Sequence, residues 1–108
     1  MQSRLELHEE LCKVLGSRNV YYQPPESIRM KYPAIVYDLE GIENVFSGND
    51  VYLQNCSYRV IFISSDPDSP VIGKLSKFPK SRYIRHYTSD NLNHDVFRIK
   101  RQEKVSKA

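Results

Sequence analysis

The stretch "VYLQNCSYRVIFIS" (Val51–Ser64) constrains the fold most. In its second half Tyr58, Val60 and Phe62 fall on one face of an extended chain, and Ile61 and Ile63 on the other. Period-two alternation marks a β-strand. Apolar residues on both faces mark a central strand, covered on both sides near its end. Such a strand needs neighbours on both edges, so the remaining segments must supply a sheet.

Several do. "PAIVYDLEG" points Ile35, Tyr37 and Leu39 one way and Ala34, Val36 and Asp38 the other, after a Pro33 that a first strand position tolerates. "RYIRHYT" alternates Tyr83, Arg85 and Tyr87 against Arg82, Ile84 and His86. "HDVFRIKR" alternates Asp95, Phe97 and Ile99 against Val96, Arg98 and Lys100. Asn19 to Gln23 reads as a short extended piece that ends at Pro24-Pro25. Ser27 to Tyr32 is assigned to neither class.

Two helices frame these strands. Leu7, Leu11, Val14 and Leu15 recur at helical spacing, which predicts a helix over about 3–15. Ser3 and Glu6 form a candidate capping box, and Gly16 is a natural stop. In "SSDPDSPVIGKLSKFP" either Asp66 or Ser69 can cap, each followed by proline, and Pro79 ends a helix over about 69–77. Between the two longest strands, "GIENVFSGND" reads as a turn-rich loop, mobile by composition. The order predicts an α+β fold: a mostly antiparallel sheet with the N-terminal helix and a second short helix packed on one face. A single domain is expected over residues 1–101, with 102–108 as a flexible C-terminal tail.

Composition narrows the function classes. Cys12 and Cys56 lie far apart, without zinc spacing, and read as buried or half-buried thiols. No apolar run approaches the ~20 residues of a membrane span, and the charged start "MQSRLELHEELCK" lacks a signal-peptide core, so action in a reducing cytoplasm is expected. The net charge of +3 is unevenly spread: residues 1–50 carry −3 and residues 51–108 carry +6. Lys74, Lys77, Lys80, Arg82 and Arg85 come with no acid between them. They are candidate interface residues, for an acidic neighbour or for nucleic acid.

The most chemical-looking segment is "TSDNLNHDVFRI" (Thr88–Ile99). Asp90, His94 and Asp95 are metal or acid–base residue types. Asp90, Asn91 and Asn93 are also what a tight hairpin requires, because Asn and Asp tolerate left-handed geometry. Adjacent strand residues such as His94 and Asp95 face opposite ways. The segment Asp90, Asn91, Asn93, His94 is therefore read as a hairpin turn, and no catalytic, cofactor or metal site is expected. His8 and His86 have no partner at ligand spacing, and Ser47, Ser64 and Ser65 lack a nucleophile elbow. Two rival readings stay open: a small single-stranded nucleic-acid-binding protein using the basic run 74–87 with Tyr83 and Tyr87, and a metal-dependent hydrolase using Asp90, His94 and Asp95.

Three stretches carry a family resemblance: Tyr32-Pro33 opening a strand, "DPDS" with "KL" following, and above all "YTSDNLNHDVF". Over about Tyr32 to Ile99 the chain resembles the tail-completion or tail-terminator (head–tail joining) proteins of long, non-contractile-tailed phages. The resemblance implies a virion structural protein and not an enzyme. Its subunits would form a homo-oligomeric ring, expected to be hexameric, assembled in the host cytoplasm. The ring would cap the tail tube and join it to the head connector, meeting the major tail protein on one surface and the head-completion protein on another. Genome DNA would pass through the lumen without sequence-specific binding, with no membrane involved. The segment Asn44, Val45, Phe46, Ser47, Gly48, Asn49, Asp50 would reach toward a partner or the lumen.

Overall fold

The structure, a computed structural model, describes residues 2–104. Helix α1 (Gln2–Leu15) is followed by strands β1 (Val20–Tyr22), β2 (Ala34–Ser47) and β3 (Asp50–Ser64). Helix α2 (Pro70–Ser76) then leads to β4 (Ser81–Ser89) and β5 (Leu92–Lys104). The five strands form one sheet in the order β1-β2-β3-β5-β4. Only β1 and β2 run parallel, and all other neighbours are antiparallel. This is the expected α+β architecture, with β3 central.

Cross-strand rows define the two faces. Ile35–Phe62–Asp95, Tyr37–Val60–Phe97 and Leu39–Tyr58–Ile99 lie on the helix-covered face. With Leu7 and Leu11 of α1, and Val71 and Leu75 of α2, these rows supply most of the core. The Tyr37 hydroxyl accepts from Arg4 Nη1 at 3.2 Å and lies 2.6 Å from His8 Nδ1, tying α1 to β2. Burial, then the nearby Arg18 and Arg4 charges, lower the pKa of His8. That shift favours the neutral imidazole. Cys12 and Cys56 are buried free thiols.

The opposite face has no helix over it. Ala34, Ile63 and Val96 are nonetheless buried there and Ile61 is half-buried.

Local chemistry sets most boundaries. Ser69 is the N-cap of α2, its hydroxyl accepting from Val71 N–H at 3.3 Å, with Pro70 at the first helical position. Asp66 is not the cap; its carboxylate accepts from Asp68 N–H. Gly16, at φ +81, accepts the left-handed stop of α1 while its N–H bonds Cys12 O at 2.9 Å. Ser3 does not cap α1. It lies inside the helix, and its hydroxyl donates to Glu103 on β5.

Three expectations are corrected. The segment 41–50 is not a loop: β2 runs through Ser47, Gly48 and Asn49 make a two-residue turn, and β3 starts at Asp50. Gly48 carries a positive φ of 65° at the first central position, the requirement of a tight II′ hairpin. The turn between β4 and β5 is Asp90-Asn91 alone, both at positive φ as in a type I′ turn; Asn93 and His94 already belong to β5. Residues 102–104 are not tail but strand, with Gln102, Glu103 and Lys104 opposite Asn55, Gln54 and Leu53. The rest of the expected tail, 105–108, lies outside the described residues.

Candidate assembly surfaces

The β2–β3 hairpin outgrows the sheet. Among the described residues β1 flanks β2 only at Ile35–Tyr37, and β5 flanks β3 as far as Leu53. Beyond that point the chain is a two-stranded ribbon. Fourteen residues at about 3.4 Å each reach about 48 Å, and the molecule measures 51 × 28 × 22 Å. The hairpin therefore sets the long dimension. Ile42, Val45, Phe46 and Tyr52 are exposed on it, with Phe46 59% accessible. The outer edge of β2 from Glu40 to Ser47 has no strand neighbour among the described residues. An exposed edge with apolar side chains is a template for association. All of Asn44, Val45, Phe46, Ser47, Gly48, Asn49 and Asp50 thus fall at the ribbon's end.

The uncovered sheet face is basic. Asp38, Arg59, Arg98 and Arg82 stand in one cross-strand row, with Lys100 one row further along. Like charges directly opposite one another destabilise a sheet. Arg59 is offset by Asp38 at 2.6 Å and Arg98 by Glu40 at 2.6 Å. Among the described residues Arg82 has no such partner, and Arg85 lies 5.2 Å from the Tyr87 ring centre. Arg59, Arg85, Arg98, Ile84 and Tyr87 line a concavity of about 280 Å³ on this face.

The five basic candidates do not form one patch. A β-bulge at Ile84 breaks the alternation of β4, so Tyr83 faces the core opposite Phe97 while Arg85 faces outward opposite Val96. Arg82 and Arg85 lie on the open face. Lys74 and Lys77 are on α2 and its C-cap, across the sheet. Lys80, at φ +59, sits in the connection, where its carbonyl accepts from Lys100 N–H. The basic–aromatic track imagined for 74–87 is therefore split between two sides.

Asp90, His94 and Asp95 do not converge either. Asp90 is exposed in the turn. His94 faces outward, stacked on Tyr87 at 4.6 Å, with Nδ1 3.1 Å from Leu92 O. Asp95 is buried on the opposite face and accepts the Tyr83 hydroxyl at 2.8 Å. Burial, then that bond to Asp95, pushes the Tyr83 phenol up to about 12. The bond has a measurable consequence. Tyr83→Phe leaves a buried carboxylate without its donor, with an expected loss of about 1–3 kcal/mol in urea unfolding. A loss below about 0.5 kcal/mol would mean that Asp95 does not depend on Tyr83. Among the described residues, no three His, Cys, Asp or Glu side chains are placed to share a metal ion.

The other side carries α1, whose outer surface exposes Leu5, Glu6, Glu9, Glu10 and Lys13. Glu9 pairs with Arg18, and Glu10 with Arg101 of β5. Between α1 and the end of α2 lies a cleft of about 250 Å³, walled by Val14, Phe78 and Pro79 and edged by Glu10, Lys13 and Arg101. The sequence reading did not foresee it, because a groove between two helices leaves no period in either one. Compared with known proteins, the chain matches no family model and no curated sequence.

Proposed function

We propose that this protein is a structural assembly subunit, a tail-completion subunit of a long-tailed phage. In this reading it forms a ring, expected to be hexameric, that caps the tail tube and joins it to the head connector. Its partners are further copies of itself, the major tail protein and the head-completion protein. No catalytic step, cofactor or metal is assigned. Its place of action is the virion, at the head–tail junction, after assembly in the host cytoplasm.

The observation that supports the reading best is the projecting β2–β3 ribbon, with apolar side chains held out on an unpaired edge. An isolated two-stranded ribbon is marginal in water. Apolar groups carried on one are typical of a surface completed by association. The acidic stretch of α1 and the basic open face, on opposite sides of the sheet, suit head-to-tail contacts, which need two different surfaces on each subunit.

The test is absolute mass by light scattering, alone and with isolated tail tubes. A mass several times 12.7 kDa, or saturable binding to tube ends, is the expected result. A chain that stays monomeric across salt and concentration and ignores the tubes would remove the proposal.

A further inference from the structure

We infer that the outer edge of β2 on one copy pairs with the outer edge of β4 on the next, so that two copies share one continuous sheet. This rests on the assembly reading above and names the strands that meet. On β2, β1 stops at Tyr37, and the Gln23 side chain accepts from Leu39 N–H. Beyond that, residues 41–47 have no backbone partner on their outer side among the described residues. Among those residues β4 pairs with β5 alone, which leaves its other side open along 82–89. Both edges display apolar side chains: Ile42, Val45 and Phe46 on β2, Tyr83 and Ile84 on β4. Unmet backbone groups beside exposed apolar side chains are what an added strand covers.

Strand sense and charge select this pair of edges. β2 and β5 run the same way, and β4 runs against both. Two copies in the same orientation therefore meet as an antiparallel pair, with their helices on one side of the joint sheet. β2 carries Asp38, Glu40 and Glu43 and no base, whereas β4 carries Arg82 and Arg85 and no acid. A β2–β2 contact would set carboxylates against each other, and a β4–β4 contact arginines, and both are unfavourable. Only β2 against β4 brings opposite signs together. Asp38 and Glu40 are engaged by Arg59 and Arg98. Glu43, on the open face near Lys100, is the acid of the free stretch.

The two faces set the register. Ile42, opposite the buried Cys56, shares the helix-covered side with Asn44 and Phe46, while Gly41, Glu43 and Val45 face the open side. On β4, Tyr83 faces the helices, and Arg82, Arg85 and Tyr87 the open side. Setting Gly41 opposite Ser89 matches the faces and uses the whole free stretch. With the bulge at Ile84, Val45 then stands opposite Arg85, Phe46 opposite Tyr83 and Ser47 opposite Arg82. Glu43 is diagonal to Arg85, within reach of a long side chain. Phe46 and Tyr83, 59% and 44% exposed in the single chain, become a cross-strand aromatic pair. Within one chain Arg82 is level with Asp38. Each copy is therefore displaced along the strands by about eight residues, or ~27 Å. The contact is heterologous and propagates from copy to copy. Such a stagger closes into a ring only if the strands tilt against its axis, as they do in a barrel.

Charge reversal tests the contact. In one chain β2 and β4 are separated by β3 and β5, a distance of about 14 Å. Glu43 and Arg85 can therefore compensate for each other only between copies. Glu43→Arg and Arg85→Glu are made singly and together in the full chain. Both side chains are exposed, so circular dichroism should match wild type. In sedimentation velocity, wild type is expected to self-associate with concentration. Each single variant should weaken that by about tenfold in Kd, and the double variant should return to within about threefold of wild type. A second measurement keeps both charges in place. Gly41→Cys mixed with Ser89→Cys should give a cross-linked pair on mild oxidation. A Cβ added at Gly41 meets nothing within 4 Å, and the native Cys12 and Cys56 are buried.

Single variants that assemble like wild type overturn the contact, as does a double variant no better than the singles. A cysteine mixture without a cross-linked pair overturns it, and so does a wild-type chain that stays at 12.7 kDa at every concentration. If wild type still binds tube ends in any of these cases, the tail-joint reading survives while the edge-to-edge contact fails. If it ignores the tubes as well, both fall.

Discussion

Replacing Phe97 with alanine is expected to remove about 3–5 kcal/mol of folding stability. Phe97 is fully buried on β5, opposite Val60 on one side and Tyr83 on the other. Its ring meets the Tyr83 ring edge-on, with centroids 5.1 Å apart. It thus joins the central strand, the edge strand and the layer beneath the helices. Alanine leaves a ring-sized void at that junction, and interlocked strands cannot close around it. For a domain whose whole stability is about 5–15 kcal/mol, the loss is about a fifth of the total or more. Urea unfolding with an unchanged m-value measures it. A change under about 1.5 kcal/mol would mean that β4 and α2 collapse freely onto the space, contrary to the packing described here.

The second large effect concerns assembly and leaves the fold intact. Asn44 pairs with Gln54, so excising Asn44 through Gln54 removes a matched length of both strands. Glu43 can then be joined to Asn55 through an Asn-Gly turn, which suits a two-residue hairpin. The excised residues are exposed or half-exposed and contribute nothing to the buried core. The variant should fold, with unfolding free energy within about 1 kcal/mol of wild type. In a phage that depends on this chain, joining of tails to heads should be lost, read as free heads and free tails in electron micrographs and a collapse of plaque titre. A wild-type titre from the shortened chain would show that the ribbon is dispensable and would sink the role given to it.

What the sequence made legible is chemistry confined to a few neighbouring residues. The Ser69-Pro70 entry to α2, the Gly16 stop and the Asp90-Asn91 turn depend on side chains acting within three or four positions. The core faces of β2, β3 and β5 were legible because burial imposes a period of two.

What was not legible depends on pairing across long separations. Residues 41–50 looked like a loop because Gly41, Gly48 and Asn49 punctuate them, yet only Gly48 and Asn49 turn the chain. Residues 102–104 show no apolar period, because all three are polar and the strand is held there by its pairing along β3. The bulge at Ile84 moved Arg85 to the face opposite Tyr83, which no count along β4 alone reveals. The parallel pairing of β1, and the insertion of β5 between β3 and β4, are likewise properties of the whole sheet.

The candidate surfaces divide the same way. Asn44 to Asp50 were marked by composition and lie at the ribbon's tip. The cleft beside Val14 and Phe78 exists only because α1 and α2 meet. The basic run was legible as charge but not as geometry.

The strand order has a consequence for the timing of synthesis. β5 comes after every other described element in the chain, yet it sits inside the sheet, and among the described residues β4 pairs with β5 alone. Until the ribosome has made β5, β3 offers a bare edge and β4 has nothing to pair with. The half-made chain holds its helices and one hairpin over an open seam, the kind of edge that recruits other strands. Translation of β5 is therefore the step that closes this sheet, and the nascent chain is most open to wrong partners just before it.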